Sequence, residues 1–120
     1  MKDRTRIMCA ALLVAVGGGA PLSAFAESCP QQIVVGKRGD GTDEYGYFNN
    51  ARIASAAIPT GPGAKYQCIY ESHNGMVPQD HQLNANELIQ SIATGWQKDR
   101  DAYTCQSQEA KNCSFVIQKS

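Results

Sequence analysis

The chain has 120 residues, of which 42% are hydrophobic and 18% charged, and its 11 basic residues balance 11 acidic ones. This length permits one ordinary domain and argues against two. The balanced charge provides no basic field of the kind that binds nucleic acid or anionic membranes.

The first 26 residues have the three parts of a secretory signal peptide. Basic Lys2, Arg4 and Arg6 precede an apolar run over 7–16, and small residues surround the A-x-A sequence at 24–26. The run of ten apolar residues is too short to span a bilayer, which takes about 20. We therefore expect cleavage after Ala26.

The remaining chain, 27–120, is expected to be a single exported domain, in the periplasm or outside the cell. It has eight basic and ten acidic residues, a formal net charge of −2, which favours neither a nucleic-acid partner nor a basic attachment to membranes. Cys29 does not directly follow the cleavage site, so the pattern of a lipid anchor is missing. We expect no retained membrane anchor.

Four cysteines remain after cleavage: Cys29, Cys68, Cys105 and Cys113. An even number in an exported chain indicates two disulfides, and four cysteines allow three pairings. Cys105 and Cys113 enclose a short, polar, turn-compatible loop, so this bond closes most easily and leaves Cys29 for Cys68. The spacing does not resemble paired zinc knuckles.

The first half of the domain alternates short strands with turns. Apolar residues at 33–35 predict a strand, the glycine-rich and charged segment 36–44 predicts a loop, and 45–48 predicts a second strand. Segment 51–58 has no clean period of two or 3.6. Prolines and glycines at 59–63 predict a turn.

Segment 65–71 is the clearest strand, because Tyr66, Cys68 and Tyr70 alternate with mostly polar residues. Asn74-Gly75 suits a tight hairpin turn, and the return strand is predicted to stop at Pro78.

Residues 84–96 predict one short helix. Asn84 resembles an N-cap, with Glu87 three residues later, and apolar side chains follow at helical spacing. A strand beginning near Trp96 is the alternative.

The C-terminal segments 103–105 and 113–117 predict a hairpin tied by a disulfide. The expected fold is therefore mainly β, a small disulfide-stapled antiparallel sandwich or barrel with one short helix, with α+β as the alternative. The side chains expected in the core are Tyr66, Trp96, Tyr103 and Phe115.

No catalytic motif is present, and neither an enzyme nor a cofactor is expected. Serines lie outside a G-x-S-x-G elbow, and the cysteines are expected to be bonded. The alternative hypothesis is a small metal-binding protein or metal-dependent enzyme in which His73, Asp80 and His81 converge, since imidazole and carboxylate ligate zinc and copper.

Aromatic residues beside the glycine-rich loop are the candidate binding residues: Tyr45, Tyr47 and Phe48. Tyrosine is enriched at recognition surfaces, and a mobile loop places these side chains where a partner can reach them.

The spacing of cysteines and aromatic residues resembles a group of short exported bacterial proteins of unknown function, with a Cys-Pro mature start and a C-terminal Cys-x-Phe. The matching motifs are Cys29-Pro30-x-x-Ile33, Cys68-x-Tyr70, Trp96, Tyr103-Thr-Cys105 and Cys113-Ser-Phe115. The resemblance implies a disulfide-stapled, mainly β domain and assigns no catalytic residue.

The leading functional hypothesis is an exported binding module for a protein or glycan partner in the cell envelope or outside the cell. An inhibitor or immunity-type protein is its specific version, because a rigid loop loses little entropy when it enters a cleft. Small periplasmic lysozyme inhibitors share the size and a Tyr-x-Cys strand, but their Ser-Gly loop signature is missing here. A structural envelope component is a further alternative.

Overall fold

The structure, a computed structural model, describes residues 23–120. The described part contains strands and one short 3-10 helix, Ala110–Cys113, which precedes the last strand. The strands are β1 (Ser23–Glu27), β2 (Gln32–Lys37), β3 (Asp43–Ile53), β4 (Lys65–Ser72), β5 (Gly75–Gln82), β6 (Glu87–Ile92), β7 (Trp96–Asp99), β8 (Ala102–Gln106) and β9 (Phe115–Lys119).

The strands form two antiparallel sheets. The larger sheet has the order β5-β4-β3-β8-β7, and β2 also pairs with β3; the smaller sheet has the order β1-β9-β6. One cluster of buried side chains joins the sheets, for example through Phe115 of β9, whose ring lies edge-on to Trp96 at 6.3 Å and to Tyr66 at 5.0 Å. The predicted sandwich is confirmed. Trp96 and Phe115 are buried, and Tyr66 and Tyr103 pack partly buried against the same cluster.

The central hairpin is confirmed. The two loop residues are His73-Asn74, one position earlier than expected, and Gly75 begins β5 opposite Ser72 with a φ of +117°, a conformation that favours glycine. The expected stop at Pro78 is wrong, because β5 continues to Gln82. Strand β5 lies at the edge of the larger sheet, where a residue without an N–H is tolerated.

The predicted helix over 84–96 is wrong, because Glu87–Ile92 is strand β6 and Trp96 begins β7. The contact expected of an N-cap does form: the Glu87 carboxylate accepts a hydrogen bond from the Asn84 amide at 3.0 Å. The Glu87 amide also donates to the Asn84 carbonyl at 3.0 Å, which closes a turn that leads into a strand.

A β-bulge explains the helical spacing. The register of β6 against β9 shifts between Ile89 and Ser91, so Ile89 and Ile92 lie opposite Ile117 and Phe115. Two apolar residues three positions apart therefore face the same core. One extra residue in a strand imitates the i, i+3 spacing of a helix.

The two disulfides are Cys29–Cys68 and Cys105–Cys113, as expected. All four cysteines are buried. The prediction of a C-terminal hairpin is wrong, however, because β8 belongs to the larger sheet and β9 to the smaller. The Cys105–Cys113 bond thus ties the larger sheet to the 3-10 helix from which the chain enters the smaller one.

Most of the predicted signal peptide lies outside the described residues, and its last four residues, 23–26, form most of β1. Over residues 23–120, the structure has no helix that is long and apolar enough to cross a membrane. The two disulfides are typical of proteins that fold in an oxidising, exported environment.

Candidate functional site

The outward face of the larger sheet carries four large exposed hydrophobic side chains. The exposed fractions are 52% for Val34, 41% for Tyr45, 54% for Tyr47 and 56% for Met76. We call these four residues the outer patch. Exposed apolar groups that lie together are typical of interaction sites, whereas isolated ones are ordinary.

Strand pairing places the outer patch on two neighbouring rows. Tyr45 lies opposite Val34 of β2. Tyr47 lies opposite Glu71 of β4, and Glu71 lies opposite Met76 of β5. Directly opposed residues of antiparallel strands share a face, as do residues two apart, so all four side chains lie on one face of β2, β3, β4 and β5.

Phe48 is not part of the outer patch. It is 2% exposed, and its ring lies edge-on to that of Tyr70, with centroids 6.1 Å apart. The prediction that Phe48 is exposed is wrong, because successive side chains of a strand point to opposite faces and Tyr47 already faces outward.

Tyr70 anchors this part of the core. Its hydroxyl donates to the Pro30 carbonyl at 2.7 Å, beside the Cys29–Cys68 disulfide. Burial, and to a smaller degree Tyr66, raise the pKa of Tyr70 to about 12. The hydroxyl therefore remains a donor well beyond neutral pH.

The segment 36–44 is shorter as a loop than expected. Strand β2 runs to Lys37 and β3 starts at Asp43, and these two residues form an ion pair at 2.7 Å. Inside the turn, hydrogen bonds from the hydroxyl and the amide of Thr42 hold the pKa of Asp40 below its usual value. The strands that carry Val34 and Tyr45 are thus joined by the short loop 38–42.

A second contact fixes the hairpin tips relative to each other. The side-chain amide of Asn74, in the β4–β5 turn, donates to both carboxylate oxygens of Glu44 at 3.2 Å each. Glu44 is only 9% exposed. Together with Arg38 and His73, these residues line one depression; Arg38, Glu44 and His73 also line a second one, with Tyr45 and Tyr47. The Glu44–Asn74 contact therefore joins the two hairpins whose strands carry the outer patch.

The structure does not bring the predicted metal ligands together. His73 lies in the turn before β5, whereas His81 lies near its far end, opposite Tyr66. Gly75 and His81 are six residue steps apart along the extended strand, about 20 Å. Among residues 23–120 no group of three or more potential ligands surrounds a possible metal position. The predicted convergence of His73, Asp80 and His81 is wrong.

Asp80 and His81 have other partners. The Gln67 amide donates to Asp80 at 2.7 Å, and the His81 ring stacks on Tyr66 with centroids 4.9 Å apart. Burial raises the pKa of Tyr66, and the carboxylates of Glu27 and Glu87 raise it further. These contacts hold the end of the β4–β5 hairpin together.

Val34 and Met76 were not among the candidate residues. Val34 is the middle residue of the apolar run 33–35, and nothing in the sequence distinguishes this exposed position from its two partly buried neighbours. Once Tyr45 faces outward, however, the pairing of β2 with β3 places Val34 beside it. Sheet pairing is thus the signal that completes the outer patch.

Comparisons with models of protein families, with curated proteins and with solved structures found no match for this chain.

Proposed function

We propose that the protein is an exported binding module, periplasmic or extracellular, that recognises a protein partner through the outer patch. The observation that carries this proposal is the placement of four large exposed hydrophobic side chains on one face of the larger sheet. Their exposure costs free energy in the isolated domain, and a partner that covers them recovers it.

The composition of the outer patch favours a protein over a glycan. Tyrosine and methionine are enriched in the centres of protein interfaces, while charged side chains are concentrated at their rims. Here Glu71, an exposed acidic residue, lies in the row between Tyr47 and Met76. This arrangement favours an apolar partner surface that also presents a basic side chain.

Pre-organisation is the second support. The Glu44–Asn74 contact joins the tips of the two hairpins that carry the patch. A surface that is already ordered loses less conformational entropy on binding. This property suits an inhibitor or immunity-type protein, the specific form of the proposal.

The test is quantitative capture from the native cell envelope and culture medium, with the oxidised domain as bait. Tyr45→Ala and Tyr47→Ala are compared with Gln97→Ala, a control on an exposed residue of β7 in the same sheet. Truncating a central aromatic residue of an interface typically costs about 2 kcal/mol or more, about 30-fold in affinity.

We expect a protein recovered by the unsubstituted domain and by Gln97→Ala, and lost with either tyrosine variant; titration with the purified partner then gives the dissociation constants. Equal recovery by all four baits contradicts a role for the patch. Retention of soluble glycan with no protein contradicts the choice of partner. If the partner is an enzyme, its activity in the presence of the domain tests the inhibitor role.

A further inference from the structure

Strand β1 is the least embedded element of the described chain. All five of its residues, Ser23–Glu27, are exposed, and none belongs to the buried cluster. It is held by pairing with β9, from Ser23 opposite Lys119 to Glu27 opposite Phe115. Removing β1 therefore takes away no member of the buried cluster and no bonded cysteine.

The predicted cleavage after Ala26 removes four of these five residues. It leaves Glu27 opposite Phe115 and uncovers the backbone of Val116–Lys119 along one edge of β9. An edge strand presents a row of unpaired N–H and C=O groups, which is a template for pairing with another chain.

The other edges of the two sheets are protected. Strand β5 contains Pro78 and a charged Asp80, and β2 carries a bulge after Val34. Strand β7 is only four residues long and ends in Lys98-Asp99. Pro, charges, bulges and short length are the devices by which natural sheets avoid edge-to-edge pairing.

Strand β6, the second edge of the smaller sheet, is protected twice. It has a bulge between Ile89 and Ser91, and the loop before β4 lies along it. The Thr60 amide donates to the Ile89 carbonyl, and the Ile89 amide donates to the Thr60 hydroxyl, both at 2.9 Å. Strand β9 has no proline, its register against β1 shows no bulge, and only β1 covers this side of it. Its sequence, Phe-Val-Ile-Gln-Lys, has one charge, Lys119 at the end, whereas two of the four residues of β7 are charged.

We infer that the exported protein forms a dimer in which β9 of one copy pairs antiparallel with β9 of a second copy, in the place that β1 occupies here. The inference rests on the proposed export and on cleavage after Ala26, but not on the outer patch. A two-fold axis perpendicular to the sheet makes identical strands antiparallel, the orientation that β9 already accepts from β1. It also brings together, among residues 23–120, the least protected edge of each copy.

Charge does not oppose this association, since the formal net charge of the mature chain is only −2. The contact is small, because pairing through four residues buries much less than the roughly 1,200–2,000 Å² of a standard interface. We therefore expect a concentration-dependent dimer, with a dissociation constant of about 10–100 µM.

The test begins with the protein recovered after export, whose N-terminus is determined by mass spectrometry and whose mass in solution is measured against concentration. We expect an N-terminus at Glu27 and a shift towards twice the monomer mass as concentration rises. A chain that starts at Ser23 keeps β1 and is the control; it should remain monomeric. Val116→Lys adds a charge to the open edge and should abolish the dimer.

Val34→Lys is the matched substitution in the outer patch and should leave the dimer unchanged. Hydrogen exchange gives a readout that needs no substitution: the amides of 116–119 should exchange more slowly as the concentration of the mature chain rises. A mature chain that stays monomeric up to about 1 mM, far above the expected dissociation constant, refutes the inference.

Four other results also overturn the inference: retention of residues 23–26 after export, failure of the mature chain to fold, dimers that persist in Val116→Lys, and dimers lost in Val34→Lys. The last result would assign self-association to the outer patch. Failure of the capture experiment, by contrast, leaves the β9 pairing in place, because the two surfaces belong to different sheets.

Discussion

Substitution by alanine is expected to lower the free energy of unfolding much more at Phe48 than at its neighbour in β3, Tyr47. Phe48 is 2% exposed and packs edge-on against Tyr70, whereas Tyr47 is 54% exposed. Replacing a buried phenylalanine by alanine costs about 3–5 kcal/mol, which includes the cavity it leaves. Replacing a half-exposed tyrosine in a strand costs less than about 1 kcal/mol.

Urea unfolding of the purified, oxidised domain measures both free energies. Trp96 is the single tryptophan and is buried, so its fluorescence reports the loss of the core. With an m value of about 1.5 kcal/mol/M, Phe48→Ala should lower the midpoint by about 2–3 M, and Tyr47→Ala by less than about 0.7 M.

Domains of this kind have a free energy of unfolding of about 5–15 kcal/mol, so Phe48→Ala removes a large share of the stability. Tyr47→Ala should instead lose the partner while it keeps the fold. Equal losses of stability in the two variants would refute the assignment of their faces. An effect of Phe48→Ala below about 1 kcal/mol would show that its pocket is not packed as described.

Three other perturbations test the interior. Opening Cys29–Cys68 by paired Cys→Ser substitution should cost about 4 kcal/mol, and opening Cys105–Cys113 about 2.5 kcal/mol, because the first bond closes a longer loop; urea unfolding of both variants checks the order. The pKa of Tyr70, about 12 in the folded protein against about 10 in the unfolded chain, predicts full stability below pH 10 and a loss of up to about 2–3 kcal/mol as the pH rises from 10 to 12. Tyr70→Phe should flatten this part of the pH profile in thermal unfolding, and an unchanged slope would contradict the assignment. Gly95→Ala should destabilise the domain, since its Cβ would lie 2.6 Å from the Asn112 carbonyl oxygen; a melting temperature within about 1 °C of the original would contradict the close approach.

The parts of the fold that follow from local chemistry were predicted. The alternation around Cys68 and the Asn74-Gly75 sequence indicate the β4–β5 hairpin to within one residue, and short loop closure specifies the Cys105–Cys113 bond. Each depends on residues close together in the chain, which is why a single sequence is sufficient.

The errors arise where the structure depends on distant partners. The bulge in β6 gives Ile89 and Ile92 a helical spacing, and only pairing with β9 distinguishes it from a helix. Segment 51–58 has no clean period because β3 ends at Ile53 and residues 54–58 form no strand or helix. The sequence of the final segment predicts a hairpin, because nothing local shows that the chain changes sheets after Cys113.

The candidate site also combines residues that local spacing predicts with residues that only pairing between distant strands reveals. Tyr45 and Tyr47 are two apart in a strand, and this spacing alone places them on one face, opposite to Phe48. Applied strictly, it would have excluded Phe48 from an exposed patch. Val34 and Met76 join the patch through pairing with β3 and β4, which the sequence does not specify by itself.

The two proposed surfaces have different physical origins, and this difference gives them separate roles. The outer patch consists of side chains on the larger sheet, so its selectivity depends on the shape and charge of a partner. The β9 edge consists of backbone groups on the smaller sheet, and its pairing is set by strand direction and length. A dimer through β9 would carry two outer patches, and a weak dimer would become bivalent only where the protein is concentrated. Against a partner that is present in several copies on one surface, two linked patches raise the apparent affinity without any new contact.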